Sequence, residues 1–169
     1  DIVMMELTSK TFSEAIYKSR EVKTIWKHSL AVGLLARELS KMLRNRSSEE
    51  AFVCGLLHDV GKIILLTYDS DGFLEAMEAA EDGEALRAEI ARFGYSHAEV
   101  GALVARRWGL PEEVCISILS HHDPAQAQDQ LIITYIVDAA NMIANVNGVG
   151  LHSEDPARLE WSESIIQLG

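Results

Sequence analysis

The sequence predicts an all-α fold. Apolar residues recur at three- and four-residue intervals through most of the chain, the spacing of one buried helix face. Val, Ile and Thr never gather in the alternating pattern that half-buried strands require. Two Ser-x-x-Glu signatures, Ser47 with Glu50 and Ser96 with Glu99, mark helix starts.

In chain order, a short helix is expected over 11–19 and a long one over 22–43. The long helix buries Ile25, His28, Val32, Leu35, Leu39 and Met42, and Asn45-Arg46-Ser47 breaks it. Ser47 starts a helix over 48–58 that carries Ala51, Phe52, Cys54, Gly55, Leu56 and Leu57, and another follows over 60–68. Asp71-Gly72 reads as a turn. Helices over 73–80 and 84–93 follow, with Gly94 as the stop. The helix after Ser96 places His97, Val100, Gly101, Val104 and Trp108 on one face. Gly109-Leu110-Pro111 ends it and starts the next, where Val114, Ile118 and His121 share a face. A polar loop runs from Asp123-Pro124 through Gln130. The helix over 131–146 is apolar on nearly all sides and is expected at the centre. Asp155-Pro156 starts a last helix carrying Leu159, Trp161 and Ile165.

A chain of 169 residues with no internal boundary reads as one domain over 1–169. It opens on Asp1 rather than Met, as a trimmed fragment or processed product would. A net charge of −11, from 15 basic and 26 acidic residues, opposes a nucleic-acid partner. No apolar run reads as long enough to span a membrane, and residues 1–20 lack a secretory pattern. Cys54 and Cys115 lie far apart in apolar patterns, so buried reduced thiols and a cytoplasmic setting are expected.

Five of the six histidines form an ordered series with two aspartates: His28, His58-Asp59, His97, His121-His122 and Asp138. His58-Asp59 interrupts an apolar run, where such groups are costly to bury without a metal or a partner. Adjacent helical residues diverge by about 100°, so both can face one point only where a helix ends. Val60-Gly61-Lys62 fits such an end, with Gly61 allowing the bend. The bland alternative is a capping Asp beside an incidental His.

His28 sits on its helix's buried stripe, which by itself would fit a core histidine bonded to a carbonyl. His97 lies in a first helical turn, a common place for any polar residue. His121 shares the inward face, whereas His122 is either a further ligand or a surface residue. Asp138 interrupts the most apolar helix, where an unpaired carboxylate would cost several kcal/mol. The alternative there is a structural hydrogen-bond network. Lys62 reaches back to hold a phosphate or pair with Asp59, or is simply solvated, and His152 is expected to be exposed.

Imidazoles with carboxylates suit Fe, Mn, Zn or Ni better than Mg or Ca. One ion could take His28, His58, Asp59 and Asp138, leaving His97, His121 and His122 for a second ion or a phosphate. Two ions bridged by a carboxylate would activate water for attack on phosphorus. The sequence is compatible with one ion or two.

At these residues the chain resembles the HD superfamily, defined by His, then His-Asp, then a distant Asp: here His28, His58-Asp59 and Asp138. It resembles more closely the HDOD domains, HD-related output domains of bacterial signalling. The stretches that carry this are Trp26 to Ser29, Gly55 to Lys62, Ser96 to Ala102, Trp108 to Pro111, and His121-His122. The resemblance covers roughly residues 22–142. It implies an HD-domain helical bundle used as a regulatory module, with residues 1–20 as the tail of a preceding helical lobe. HD-GYP phosphodiesterases carry Gly-Tyr-Pro after the paired histidines. Here Asp123-Pro124-Ala125-Gln126 follows, which argues against cyclic di-GMP hydrolysis.

Two functions follow as expectations. The first is a signalling module with a metal-binding centre, acting on a signalling protein partner or a small phosphorylated ligand, with no nucleic acid and no membrane. The second is a metal-dependent phosphohydrolase, with Asp59 and Lys62 as its catalytic residues.

Overall fold

Ser19 starts the first helix, its hydroxyl accepting from the Val22 amide at 3.2 Å, the expected role of an N-cap serine. The computed structural model describes residues 19–45, 47–79, 84–151, 156–160 and 162–168. The helix expected over 11–19 (save Ser19 itself), His152 and Trp161 lie outside them, as do residues 1–18.

Among the described residues every regular element is helical: α1 Arg20–Met42, α2 Ser48–Leu57, α3 Val60–Tyr68, α4 Ser70–Ala79, α5 Ala85–Phe93, α6 His97–Arg107, α7 Glu112–Ser120, a 3₁₀ segment Pro124–Gln130, α8 Leu131–Val146, α9 Ala157–Glu160 and α10 Glu163–Leu168. The all-α reading therefore holds. The polar loop after Asp123 is wound into the 3₁₀ segment, and the last expected helix is split around Ser162.

Two apolar clusters organise the packing. One joins Val32 and Ala36 of α1 to Cys54 of α2, Ala102 of α6, Ile118 of α7 and Ile136 and Val137 of α8. The central position expected for α8 is borne out. The other joins Val22 and Ile25 of α1 to Ile63 and Leu66 of α3 and Phe73 of α4. His28 lies between Ile25 and Val32 on α1, and His58-Asp59 between Cys54 and Ile63, so both meet at the seam of the two clusters.

Glycines set the close crossings. A Cβ on Gly55 would stand 2.9 Å from Gly33 Cα and 3.0 Å from Gly33 N, so α1 and α2 touch backbone to backbone. That contact brings His28 and His58 together. Gly61 does not supply a bend, contrary to the sequence reading: it lies inside α3 without a positive φ. The turn belongs to Asp59, whose φ of −100° and ψ of 11° end α2 before α3 begins. Gly61 is small because α6 presses on it. A Cβ there would run into the His97 carbonyl oxygen and come within 2.9 Å of Gly101 N.

Other local expectations divide. Ser96 and Glu99 form a complete capping box. Ser47 makes no side-chain cap bond; its ψ of 37° is not extended, and Asn45 Oδ1 accepts the Ser47 amide at 2.9 Å. The Asp71-Gly72 turn is instead the first turn of α4. Asp69 Oδ1 accepts the Gly72 amide at 3.0 Å, and Asp69 also pairs with Arg92, which carries the helix start ahead of Phe73. Gly94, at φ 80°, closes α5 as expected.

The stretch Ser48–Tyr68 proves long and apolar enough to cross a membrane, at mean hydropathy 1.5, against the sequence reading. Yet 56% of that window is buried inside the protein, and the His58-Asp59 break falls within it. Cys54 and Cys115 are free and buried, as expected.

Ser96→Ala should cost about 1 kcal/mol through the lost cap. Thermal unfolding should register it as a fall of about 2–4 °C in Tm. An unchanged Tm would show that the box contributes nothing to α6.

Candidate metal centre

The centre is assembled from five helices. His28 comes from the middle of α1, His58 and Asp59 from the α2–α3 junction, and Lys62 from the first turn of α3. His97 is the first residue of α6, and His121 caps α7 with His122 after it. His58, His97 and His121 are fully buried, and Asp59 and His28 nearly so. His122 stands at the solvent rim.

Backbone carbonyls fix three of the five rings, and a buried carboxylate fixes a fourth. A carbonyl oxygen can only accept, so the ring nitrogen facing it carries the hydrogen. His58 Nδ1 donates to Gly55 O and His121 Nδ1 to Ile118 O, each at 2.7 Å. His28 Nδ1 donates to Val149 O in the loop after α8. His97 Nδ1 meets the buried carboxylate of Glu89, with 2.7 Å to Oε2 and 2.9 Å to Oε1. Each Nε2 is left with its lone pair facing inward, the tautomer a metal ligand needs.

The inward atoms form two groups that share Asp59. His28, His58 and Asp59 offer three donor atoms within 4.8 Å of one another, and His97, His121 and His122 offer three more. Asp59 Oδ2 lies 3.4 Å from His58 Nε2 and 3.7 Å from His28 Nε2. Its Oδ1 lies 3.3 Å from His97 Nε2 and 3.7 Å from His121 Nε2. One carboxylate thus faces one group with each oxygen.

The donor set fits a cation. His58 Nε2 and Asp59 Oδ1 are buried without a hydrogen-bond partner, an expensive arrangement unless something else satisfies them. His97 Nε2 stands 3.3 Å from His121 Nε2 and 3.1 Å from His122 Nε2. Two nitrogens sharing one ion at about 2.0–2.1 Å lie roughly 3.0–3.4 Å apart. Lone pairs held that close without a proton or an ion between them repel.

Electrostatics agree. Burial lowers the pKa of His28 to about 4 against the attraction of Asp59. Burial, then neighbouring imidazoles, hold His121 and His122 well below 6.5. Burial alone would raise the Asp59 carboxyl, but His58 and Lys62 outweigh it and keep it well below its ordinary value. His97 goes the other way: burial and Lys62 push it down, and Asp59 and Glu89 prevail to raise it. The neutral forms of His28 and His121 beside the ionised Asp59 are the protonation states that ligation requires, and an ion at the centre would have to displace a proton from His97.

Of the residues singled out in the sequence, His28, His58, Asp59, His97, His121 and His122 converge. Lys62 pairs with Asp59, Nζ to Oδ2 at 2.8 Å, one of the roles foreseen for it. Asp138 stands outside the two three-donor groups, and its Oδ2 accepts from the Ser164 hydroxyl. Sequence reasoning missed Glu89. Its signal was a lone carboxylate on the α5 face between Leu86 and Phe93, eight residues before His97.

A family model for the HDOD domain matches residues 1–124. The chain belongs to the HDOD family. An HDOD domain protein of unknown function from Geobacter sulfurreducens superposes with a TM-score of 0.75 at 31% identity, over 86% of this chain and 52% of that one. A Shewanella amazonensis protein proposed to be a phosphohydrolase gives 0.67 at 27% identity, over 85% of this chain and 51% of that one. Ribonuclease Y of Thermus thermophilus is 29% identical over 128 residues, 76% of this chain and 17% of that protein. The HDOD chain therefore spans about half the length of these solved structures and far less of ribonuclease Y.

Proposed function

We propose that this HDOD chain is a regulatory signalling domain whose HD centre binds one or two transition ions of the Fe, Mn, Zn or Ni class. The carrying observation is the convergence of Nε2 atoms on both oxygens of Asp59, with the Nδ1 atoms of four rings already tied to protein acceptors. His28, His58 and Asp59 would hold one ion and His97, His121 and His122 a second, with Asp59 shared. Bound ions would supply Lewis acidity.

Regulation is favoured over turnover by enclosure. Three of the imidazoles are 0% exposed and Asp59 2%, and closed sites are the mark of structural ions. Lys62 spends its charge on Asp59. The output would be a contact with a signalling protein partner, or the holding of a small phosphorylated ligand at the His122 and Lys62 rim. The net charge of −11 supports a partner other than nucleic acid.

A second reading, a metal-dependent phosphohydrolase, is favoured by the way Asp59 faces both groups at once. The likeness to the Shewanella amazonensis protein supports it as well. In that reading Asp59 orients the centre and Lys62 offsets charge on the leaving oxygen.

Metal analysis of purified protein tests the proposal. Wild type should carry a transition ion and Asp59→Ala should not. Absence of bound metal, with stability unmoved by a chelator, would sink it. Phosphatase and phosphodiesterase assays with added Mn or Fe then separate the two readings. Silence supports the regulatory domain; turnover that disappears in Asp59→Ala supports the enzyme.

A further inference from the structure

Glu89 is a fully buried carboxylate, from a helix that supplies none of the histidines. One oxygen, Oε2, takes two contacts from a single residue: the His97 amide at 2.7 Å and His97 Nδ1 at 2.7 Å. The amide belongs to the first residue of α6. Such an amide is without an intrahelical partner and favours an anion, which explains how Glu89 tolerates the core. Helix capping alone does not need the ring contact, since Ser96 and Glu99 already complete the box.

We infer that Glu89 is a positioning residue that makes the His97, His121 and His122 group competent for a transition ion. The inference rests on the metal-binding reading above. His97 is the exception among the four anchored rings: the others donate Nδ1–H to a carbonyl of their own turn or a nearby loop, but His97 has a carboxylate. With Glu89 in place, the ring must present Nε2 to His121 and His122. A carboxylate behind the ring also makes Nε2 a stronger donor. Without it, nothing compels that tautomer, and Nε2–H could instead point at Asp59 Oδ1, 3.3 Å away. A hydrogen there would occupy the place of the ion.

Zinc titration against a competing chelator reads the effect without any activity assay. Glu89→Gln should weaken by about 10–100-fold the binding event that His122→Ala also removes. Ser96→Ala, which loosens the same helix start without touching the ring, should bind zinc as wild type does. If wild type binds zinc and Glu89→Gln binds it within twofold, Glu89 is only a cap and the inference is lost. If wild type binds no zinc, the metal reading itself fails. Long-range proton–nitrogen NMR on metal-free wild type covers the case in which Glu89→Gln does not fold. At a pH high enough for the ring to be neutral, His97 should be held with Nδ1 protonated, and a neutral Nε2–H or mixed tautomer there would overturn the inference.

Discussion

Gly61→Ala should be among the most damaging single-methyl changes available in this protein. The added Cβ would run into the His97 carbonyl oxygen, with the carbonyl carbon at 2.7 Å and Gly101 N at 2.9 Å. All of these are backbone atoms of a packed helix, so no side chain can swing aside. Alanine gains up to about 1 kcal/mol over glycine in a helix interior. Overpacking against rigid neighbours costs about 1–3 kcal/mol, occasionally more, and a backbone collision belongs at the upper end. The net loss should be about 2 kcal/mol or more, a fall of roughly 4–8 °C in Tm at this size. Because the colliding residue is His97 itself, zinc affinity should fall together with stability. A variant as stable as wild type would show that α3 and α6 are not held at this distance.

The same residue shows what the sequence could and could not disclose. Gly61 was visible as a glycine after His58-Asp59, and flexibility was the natural reason to assign. The true reason is a neighbour far away in sequence, and no local pattern reveals that. His28 and His121 were legible because each lies on a stripe that its own helix must bury. The His58-Asp59 break was legible because two adjacent polar groups in an apolar run need a helix end to face one point. Ser96 announced its cap through a signal four residues long, whereas Ser47 carried the same signal and lost to Asn45. The surroundings of Asp138 were hidden for a related reason. Its helix had to be central, but which partner reaches a carboxylate on that helix depends on where α10 returns, and Ser164 arrives there. Glu89 lay on a mostly surface helix with a mixed pattern. Only the packing of α5 under the start of α6 gives it a role.

Metal-free protein should be sharply acid-labile below pH 6.5. Burial, the leading cause in each case, keeps His28 and His121 depressed in the folded state. An unfolded chain takes up protons on these residues near pH 6.5, while the folded chain does not until far lower. Stability falls with pH wherever the unfolded state binds more protons, so it is fully present above 6.5 and lost as pH drops. His28 alone, depressed to about 4, is worth about 3 kcal/mol once that window is crossed. His97 acts in the opposite sense. Its raised pKa stabilises the fold below 6.5 and fades as pH rises, because Glu89 and Asp59 favour its charged form. One raised imidazole against two enclosed depressed ones, with the Asp59 carboxyl also held low, leaves acid destabilisation dominant. Total stabilities of about 5–15 kcal/mol cannot absorb that loss for long, so unfolding should set in well above pH 4. A bound ion competes with protons for the same Nε2 atoms, so loading with zinc should raise Tm at pH 7 and move the collapse to lower pH. Thermal melts of chelator-treated protein from pH 7.5 to 4.5 measure the slope, and His28→Asn should make it shallower. A Tm that stays level across that range would mean that these rings are hydrated and charged in the folded protein, and the enclosed centre would be wrong.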